Sequence, residues 1–286
     1  MQLSLVSEQK FDAKLEPKRL DKHQFYEKVY SASKCLFQKR GAKMKVVVHW
    51  SGGKECCLAY HKVVKQGHQV AYLLTFEYMK PYVFHSFPMM ELQSKALGTP
   101  LKRVRIKKAY EDILRALTKL HDEEGIEGIV TGDIVGAGCA IVHSSYYESM
   151  AKQLGLAFMM PLENPSGDTY DVLKEVVGTG LRPVLNCINS NFFGEEWLGR
   201  TIDPVSVKEL KELADEKGID VSSEDGQGYH STVVDAPLFK ESIGIGKFKT
   251  KRKKEKSKNW KRNWLYMDIK ECYLKPKEIP KLSSPI

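Results

Sequence analysis

Residues Lys45 to Gly67 constrain this chain more than any other stretch. Lys45-Val46-Val47-Val48-His49-Trp50 is a β-branched run of the kind that fills a buried strand. Ser51-Gly52-Gly53 follows, and Lys54 to Gln66 has helical apolar spacing closed by Gly67 as a C-cap. A Ser-Gly-Gly turn between strand and helix lets backbone N–H groups face one point, at the positive end of the helix dipole. A Cβ there would block both the tight turn and the close approach of a phosphate. Lys54 is expected to add a mobile cation at the rim. The stretch reads as an anion site for polyphosphate, with Ser51, Gly52, Gly53, Lys54 and Cys56 as its binding residues.

From Lys45 the chain alternates strand and helix. Strands are expected over Lys45–Trp50, Gln69–Phe76, Leu101–Ile106 and Gly128–Thr131. Helices are expected over Lys54–Gln66, Met89–Leu97, Tyr110–Glu123 and Ser144–Leu154. Such alternation predicts an α/β fold, a doubly wound parallel sheet with helices on both faces and ligands at the carboxyl ends of its strands. The second half predicts a smaller α+β domain: strand Ala157–Pro161, helix Asp168–Gly178, strand Arg182–Asn189 and helix Pro204–Lys217 with Gly218 as C-cap. Strand His230–Asp235 follows, then a hairpin of Ser242–Lys249 with Trp264–Leu274. The expected organisation is an extension over 1–43, a nucleotide-binding domain over 44–158 and a substrate domain over 159–286. The extension carries a weak helical pattern around Phe25, Val29, Leu36 and Phe37.

A length of 286 residues holds one large or two modest domains, with ample core. Met1 to Leu20 has no apolar h-region, and no window approaches a membrane span. The six cysteines form no CxxC pair, which argues against zinc and iron–sulfur sites and for a reducing, cytoplasmic setting. The formal charge of +9 is concentrated: ten cationic residues lie between Lys247 and Arg262, with Glu255 the single acid. This run, expected as the hairpin's connection, has two readings. It docks RNA, the ribosome or an acidic protein through counterion release, or it is a solvated loop that guards a sheet edge. Trp260 and Trp264 beside it either stack on bases or pack on the sheet.

Three later stretches hold candidate chemistry. Thr131-Gly132-Asp133 ends a strand at the ligand edge. There Gly132 would let adenosine approach the backbone, while Asp133 would bind ribose or metal, or cap a turn. Glu196-Trp197-Leu198-Gly199 follows the strand that carries Asn189, and its tryptophan is either a ligand contact or a core anchor. Glu224-Asp225-Gly226-Gln227-Gly228-Tyr229-His230 gathers acids, glycines, an aromatic and a histidine in a loop entering a strand.

The Ser51–Cys56 loop resembles the pyrophosphate loop, SGG-x-D/E-S/T, of the N-type ATP pyrophosphatases. With Trp197-Leu198-Gly199, Tyr229-His230 and Asp235-Ala236-Pro237-Leu238-Phe239, the chain resembles the diphthine–ammonia ligase family from Lys45 to Leu274. It departs from the family pattern at Glu55 (Asp in the usual loop), at Cys56 (Ser or Thr) and at Gly228, where the family has a second glutamate. These mark a divergent member.

The resemblance implies an ATP-dependent carboxylate–ammonia ligase. It would adenylate the diphthine carboxylate of a translation elongation factor, then amidate it with ammonia, releasing AMP and pyrophosphate. It implies ATP and Mg²⁺ as cofactors, with Glu55 and Asp133 near the metal, and Lys54, Glu55, Asp225 and His230 in catalysis. Asn189, Trp197, Glu224, Gly226 and Tyr229 would bind the substrate, with Tyr229 or Trp197 facing the quaternary ammonium of diphthine. Two other readings stay open: a tRNA-modifying enzyme using the same adenylation, and an ATP-binding sensor without turnover.

Overall fold

The computed structural model describes residues 43–79, 84, 86–134, 140–162, 168–220, 228–256 and 261–277, with backbone alone over 140–145. The helical pattern expected in the N-terminal extension lies outside these residues. So do Glu224, Asp225, Gly226 and Trp260.

The first sheet holds β1 (Lys45–His49), β2 (Gln69–Tyr78), β3 (Leu101–Ile106), β4 (Gly128–Val130) and β5 (Ala157–Met159). They run parallel in the order β3-β2-β1-β4-β5. Four helices connect them: α1 (Lys54–Lys65), α2 (Phe87–Leu97), α3 (Ala109–Glu124) and α4 (Ala140–Leu154). Central β1 explains the layering, because successive side chains of a strand point to opposite faces. Val46 and Val48 pack with Leu58 and Val63 of α1 and Met89 and Met90 of α2. Val47 packs on the other side with Ile113, Leu117 and Leu120 of α3 and Met150 of α4. The sheet is doubly wound, as the alternation predicts. Strand order reverses between β1 and β4, the crevice where such sheets take ligands, and the Ser51 loop leaves β1 there.

The second sheet is antiparallel, in the order β7-β6-β9-β8. Its strands are β6 (Arg182–Asn189), β7 (Tyr229–Asp235), β8 (Ser242–Lys256) and β9 (Lys261–Lys275). Helices α5 (Thr169–Gly178) and α6 (Pro204–Lys217) cover one face. There Leu173, Val207 and Leu210 meet Leu185, Ile188 and Leu265, with Phe193 and Trp197 between them. Asp203 and Ser206 cap α6 reciprocally: the Ser206 amide donates to Asp203 Oδ1 at 2.8 Å, and the Asp203 amide to Ser206 Oγ at 2.7 Å.

The basic stretch departs from expectation. Lys247 to Lys256 is not a connecting loop but the outer half of β8, paired in register with β9 down to Lys256 opposite Lys261. Alternation is what makes this possible, because a ribbon wetted on both faces can hold charge on both. Acids from the neighbouring strand then meet part of it, with Lys251 at 2.5 Å from Asp268 and Lys247 at 3.5 Å from Glu271. Trp264 packs on the sheet, buried, and its indole N–H donates to Glu255 at 2.8 Å. Among the described residues no helix is long and apolar enough to cross a membrane.

His61 fastens α1 to the turn after β7. Its Nδ1 lies 2.8 Å from the Cys57 carbonyl, which can only accept, and its Nε2 lies 3.2 Å from the Leu238 amide, which can only donate. The ring is therefore neutral, with its proton on Nδ1. Burial lowers its pKa below the ordinary histidine value. Folding thus favours the uncharged form, and the stability it supports is complete above pH ~6.5 and lost as pH falls through the lower folded value. Thermal melts of the parent should lose more between pH 7.5 and 5.5 than those of His61→Gln, which cannot titrate.

Candidate active site at the glycine turn

The turn after β1 is strained in one place and braced in several. Gly52 has φ +81°, a conformation that a side chain would oppose. Gly53 is extended and caps α1 without a side-chain hydrogen bond. Within the loop, Ser51 Oγ accepts from the Gly53 amide at 3.4 Å and donates to Cys56 Sγ at 3.5 Å. The Cys56 thiol in turn donates to the Gly53 carbonyl at 3.2 Å. Burial raises the Cys56 pKa, so the group stays a thiol and keeps its proton for that bond. It occupies the hydroxyl position of the usual loop and serves there as an internal tie.

Strong bracing comes from outside the loop. Gln93 of α2, fully buried, accepts from the Trp50 indole at 2.9 Å. Its amide nitrogen donates to the Gly52 carbonyl at 2.9 Å and the Val233 carbonyl at 2.8 Å. A Cβ on Gly52 would come within 2.8 Å of Gln93 Oε1, so the contact has no room for another residue. Strand β7 then joins directly: the Val233 amide donates to the Gly52 carbonyl at 3.0 Å, and the Lys54 amide donates to Ser231 Oγ at 3.3 Å. The second sheet is stitched to the loop of the first.

Lys54 is not at the rim. Its side chain is 4% exposed, paired with the Glu55 carboxylate, and its ammonium lies 4.7 Å over the Tyr229 ring. Gly132 meets a different neighbour from the one expected. A Cβ there would lie 2.5 Å from the Cys56 nitrogen and 2.7 Å from the Glu55 carbonyl carbon. The first turn of α1 therefore rests on the end of β4, and Gly132 is needed for that close packing. The same contact brings the backbones of Glu55 and Asp133 to one corner. Thr131, fully buried beside them, has a hydroxyl with no hydrogen-bond partner among the described residues. A buried hydroxyl without a partner is costly unless something else fills its place.

The structure thus brings together Ser51, Gly52, Gly53, Lys54, Glu55, Cys56, Gly132, Asp133 and Tyr229. Three of the expected substrate-binding residues do other work. Trp197 is a core anchor, edge-on to Phe193 and covered by the Arg200 guanidinium at 4.5 Å. Tyr229 is buried with Lys54 as its cation, so neither ring is open to a substrate ammonium. Asn189 is 1% exposed, and its side-chain oxygen accepts from the amides of Asn191 and Asn263 at 3.2 Å each, tying β6 to β9. His230 sits on the face of β7 opposite Tyr229 and Ser231. Its ring stacks on Phe84 at 3.6 Å and tilts against Trp264 at 5.2 Å.

A doubly wound parallel sheet with a braced glycine turn at its switch point defines an α/β protein whose candidate ligand site lies at the carboxyl ends of its strands. Residues 44–158 match the model of the diphthamide synthase N-terminal domain, and residues 168–274 that of the diphthamide synthase C-terminal domain. The chain belongs to the diphthamide synthase family. The diphthine–ammonia ligase of Danio rerio is 27% identical over 236 residues, covering 71% of this chain and 86% of that protein. The human enzyme is 25% identical over 229 residues, covering 70% and 82%. Among solved structures, a predicted subunit of tRNA methyltransferase from Methanocaldococcus jannaschii is 16% identical, covers 68% of this chain and 99% of its own, and has a TM-score of 0.35. A U34-tRNA thiolase from Methanococcus maripaludis is 12% identical, covers 70% and 77%, and has a TM-score of 0.33.

Gln93→Leu should strand the Trp50 indole and the Val233 carbonyl and leave the Gly52 carbonyl with the Val233 amide alone, costing roughly 2–5 kcal/mol for the buried groups left unpaired. Denaturant unfolding measures that loss. Gly132→Ala should push the start of α1 away from β4, and calorimetric titration with ATP should show weaker binding even where the fold survives.

Proposed function

We propose that this protein is an ATP-dependent ligase of the diphthine–ammonia type, active in the cytoplasm on a translation elongation factor. The observation that carries the reading is the pair of bonds from β7 to the glycine turn. Whatever the second sheet binds is held against the loop that grips ATP. Membership of the diphthamide synthase family supports the substrate class.

A free carboxylate is a poor acyl donor because its leaving group would be oxide. Transfer of AMP from ATP to the carboxylate expels pyrophosphate and makes AMP the leaving group. Ammonia then adds to the acyl carbon, AMP departs, and the nitrogen gives up a proton. The loop's part is electrostatic. The amides at the start of α1 and the Lys54 ammonium stabilise charge as it gathers on the departing pyrophosphate. Glu55 holds Lys54 in place until phosphate arrives to share it. Glu55 and Asp133, an oxygen-only pair at one corner, suit Mg²⁺, which keeps several waters and needs one or two carboxylates. Bound there it would neutralise phosphate charge. Thr131 Oγ would donate to the nucleotide, completing its hydrogen bonding. Asp225, outside the described residues, and His230 are the groups we assign to receiving the proton of ammonium.

The test is AMP and pyrophosphate release with diphthine-bearing elongation factor, ATP and ammonium. Lys54→Ala should lower turnover by about 10²-fold or more, the order of loss for one such electrostatic group. An unchanged rate overturns the loop assignment. ATP binding without any AMP would make the protein a sensor, and AMP formation stimulated by tRNA alone would make it a tRNA-modifying enzyme.

A further inference from the structure

The far end of the β8–β9 ribbon carries charge that nothing in the fold uses. On one face of β8 stand Arg252, Lys254 and Lys256, about 7 Å apart from each to the next because side chains on one face recur every second residue. Lys256 lies directly opposite Lys261 of β9, so two ammonium groups share one cross-strand position. Like charges placed so are destabilising. Among the described residues Lys254, Lys256 and Lys261 have no ion-pair partner. Arg252 reaches Glu195 at 3.3 Å, with both side chains more than 60% exposed, which makes a weak pair. On the other face of the ribbon, by contrast, Lys251 meets Asp268 and Lys253 meets Glu255.

Guarding the edge does not account for this arrangement. Lysines on an edge strand keep it from pairing with other chains, and β8 is that edge. That duty does not call for two cations opposed at one cross-strand position, as Lys256 and Lys261 are. A protein partner also fits poorly. Stable protein interfaces centre on apolar and aromatic anchors and are depleted of lysine. Among the described residues the exposed aromatics of the ribbon, Phe248 and Tyr273, sit away from its far end. Around the cations at the far end stand polar groups instead, with Asn263 donating to Asn191 at 2.6 Å.

We propose that the Arg252–Lys254–Lys256–Lys261 face of the hairpin is a binding surface for the phosphate backbone of RNA, without sequence preference. A row of cations on a narrow, stiff ribbon can follow successive phosphates. Counterion release supplies the affinity, and the bound phosphates relieve the repulsion between Lys256 and Lys261. The surface lies apart from the glycine turn, so it would anchor the enzyme near RNA-rich assemblies while leaving the chemistry untouched.

Fluorescence anisotropy with labelled single-stranded and hairpin RNA, on the full chain, tests this. The variant R252Q/K254Q/K256Q/K261Q should bind at least tenfold more weakly. The slope of log affinity against log salt should flatten by about 3, as expected when four cation–phosphate contacts are lost. Lys256→Glu separates folding from binding, because it converts the repulsive pair into an attractive one. It should raise the melting temperature while weakening RNA binding. Unchanged affinity or salt slope in the fourfold variant overturns the proposal. So does displacement of RNA by polyglutamate at equal charge concentration, which would assign the surface to an acidic polypeptide.

Discussion

The structure depends on how β7 meets the glycine turn. Gly52 offers one carbonyl, and two donors converge on it: the Val233 amide and the Gln93 side chain. Gln93 also reaches the Val233 carbonyl, so strand, turn and helix α2 close a small ring of hydrogen bonds in a fully buried site. In that low dielectric each bond is strong and each unmade one costly. A turn held at φ +81° would otherwise relax when unliganded. Braced this way, its amides are fixed in place, as a binding site that avoids the entropy cost of ordering a loop requires.

The reach of that ring explains what could be seen in the sequence. Val46-Val47-Val48, the Ser-Gly-Gly turn and the helix after it are local patterns, and each formed where its residues say it should. The doubly wound parallel sheet followed from the alternation of strand and helix. Gln93 and Ser231 gave no such signal. One is a polar residue in an amphipathic helix, the other a hydroxyl in a strand, and their partners lie 41, 140 and 177 positions away. Only the packing of the second sheet on the first makes them part of the loop. The one local hint was a glutamine at a position where the helix pattern asks for an apolar residue.

Trp197, Tyr229 and Asn189 show the opposite failure. Their residue types suit recognition, yet burial decides between a ligand contact and a core contact, and burial is a tertiary property. Arg200 and Lys54 already occupy the ring faces that a substrate cation would need. The basic run was misplaced for a related reason. Lysine and arginine are neutral in a ribbon wetted on both faces, so charge alone cannot tell a loop from a strand. The pairing of Trp264 with Glu255 and of Asp268 with Lys251 settles it, by giving the ribbon an internal register.

Substitution of Cys56 for the usual hydroxyl also has a coherent place in this arrangement. A hydroxyl at that position can turn outward to a phosphate oxygen. The thiol turns inward, to the Gly53 carbonyl, and burial holds it protonated. The loop loses one outward donor and gains one internal tie, and Thr131, fully buried just beyond β4, has a hydroxyl with no hydrogen-bond partner among the described residues. Gly132 lets the start of α1 lie against the end of that strand. The substitution thus trades an outward donor for an internal tie, and the hydroxyl without a partner among the described residues stands one residue before Gly132, on the segment against which the start of α1 packs.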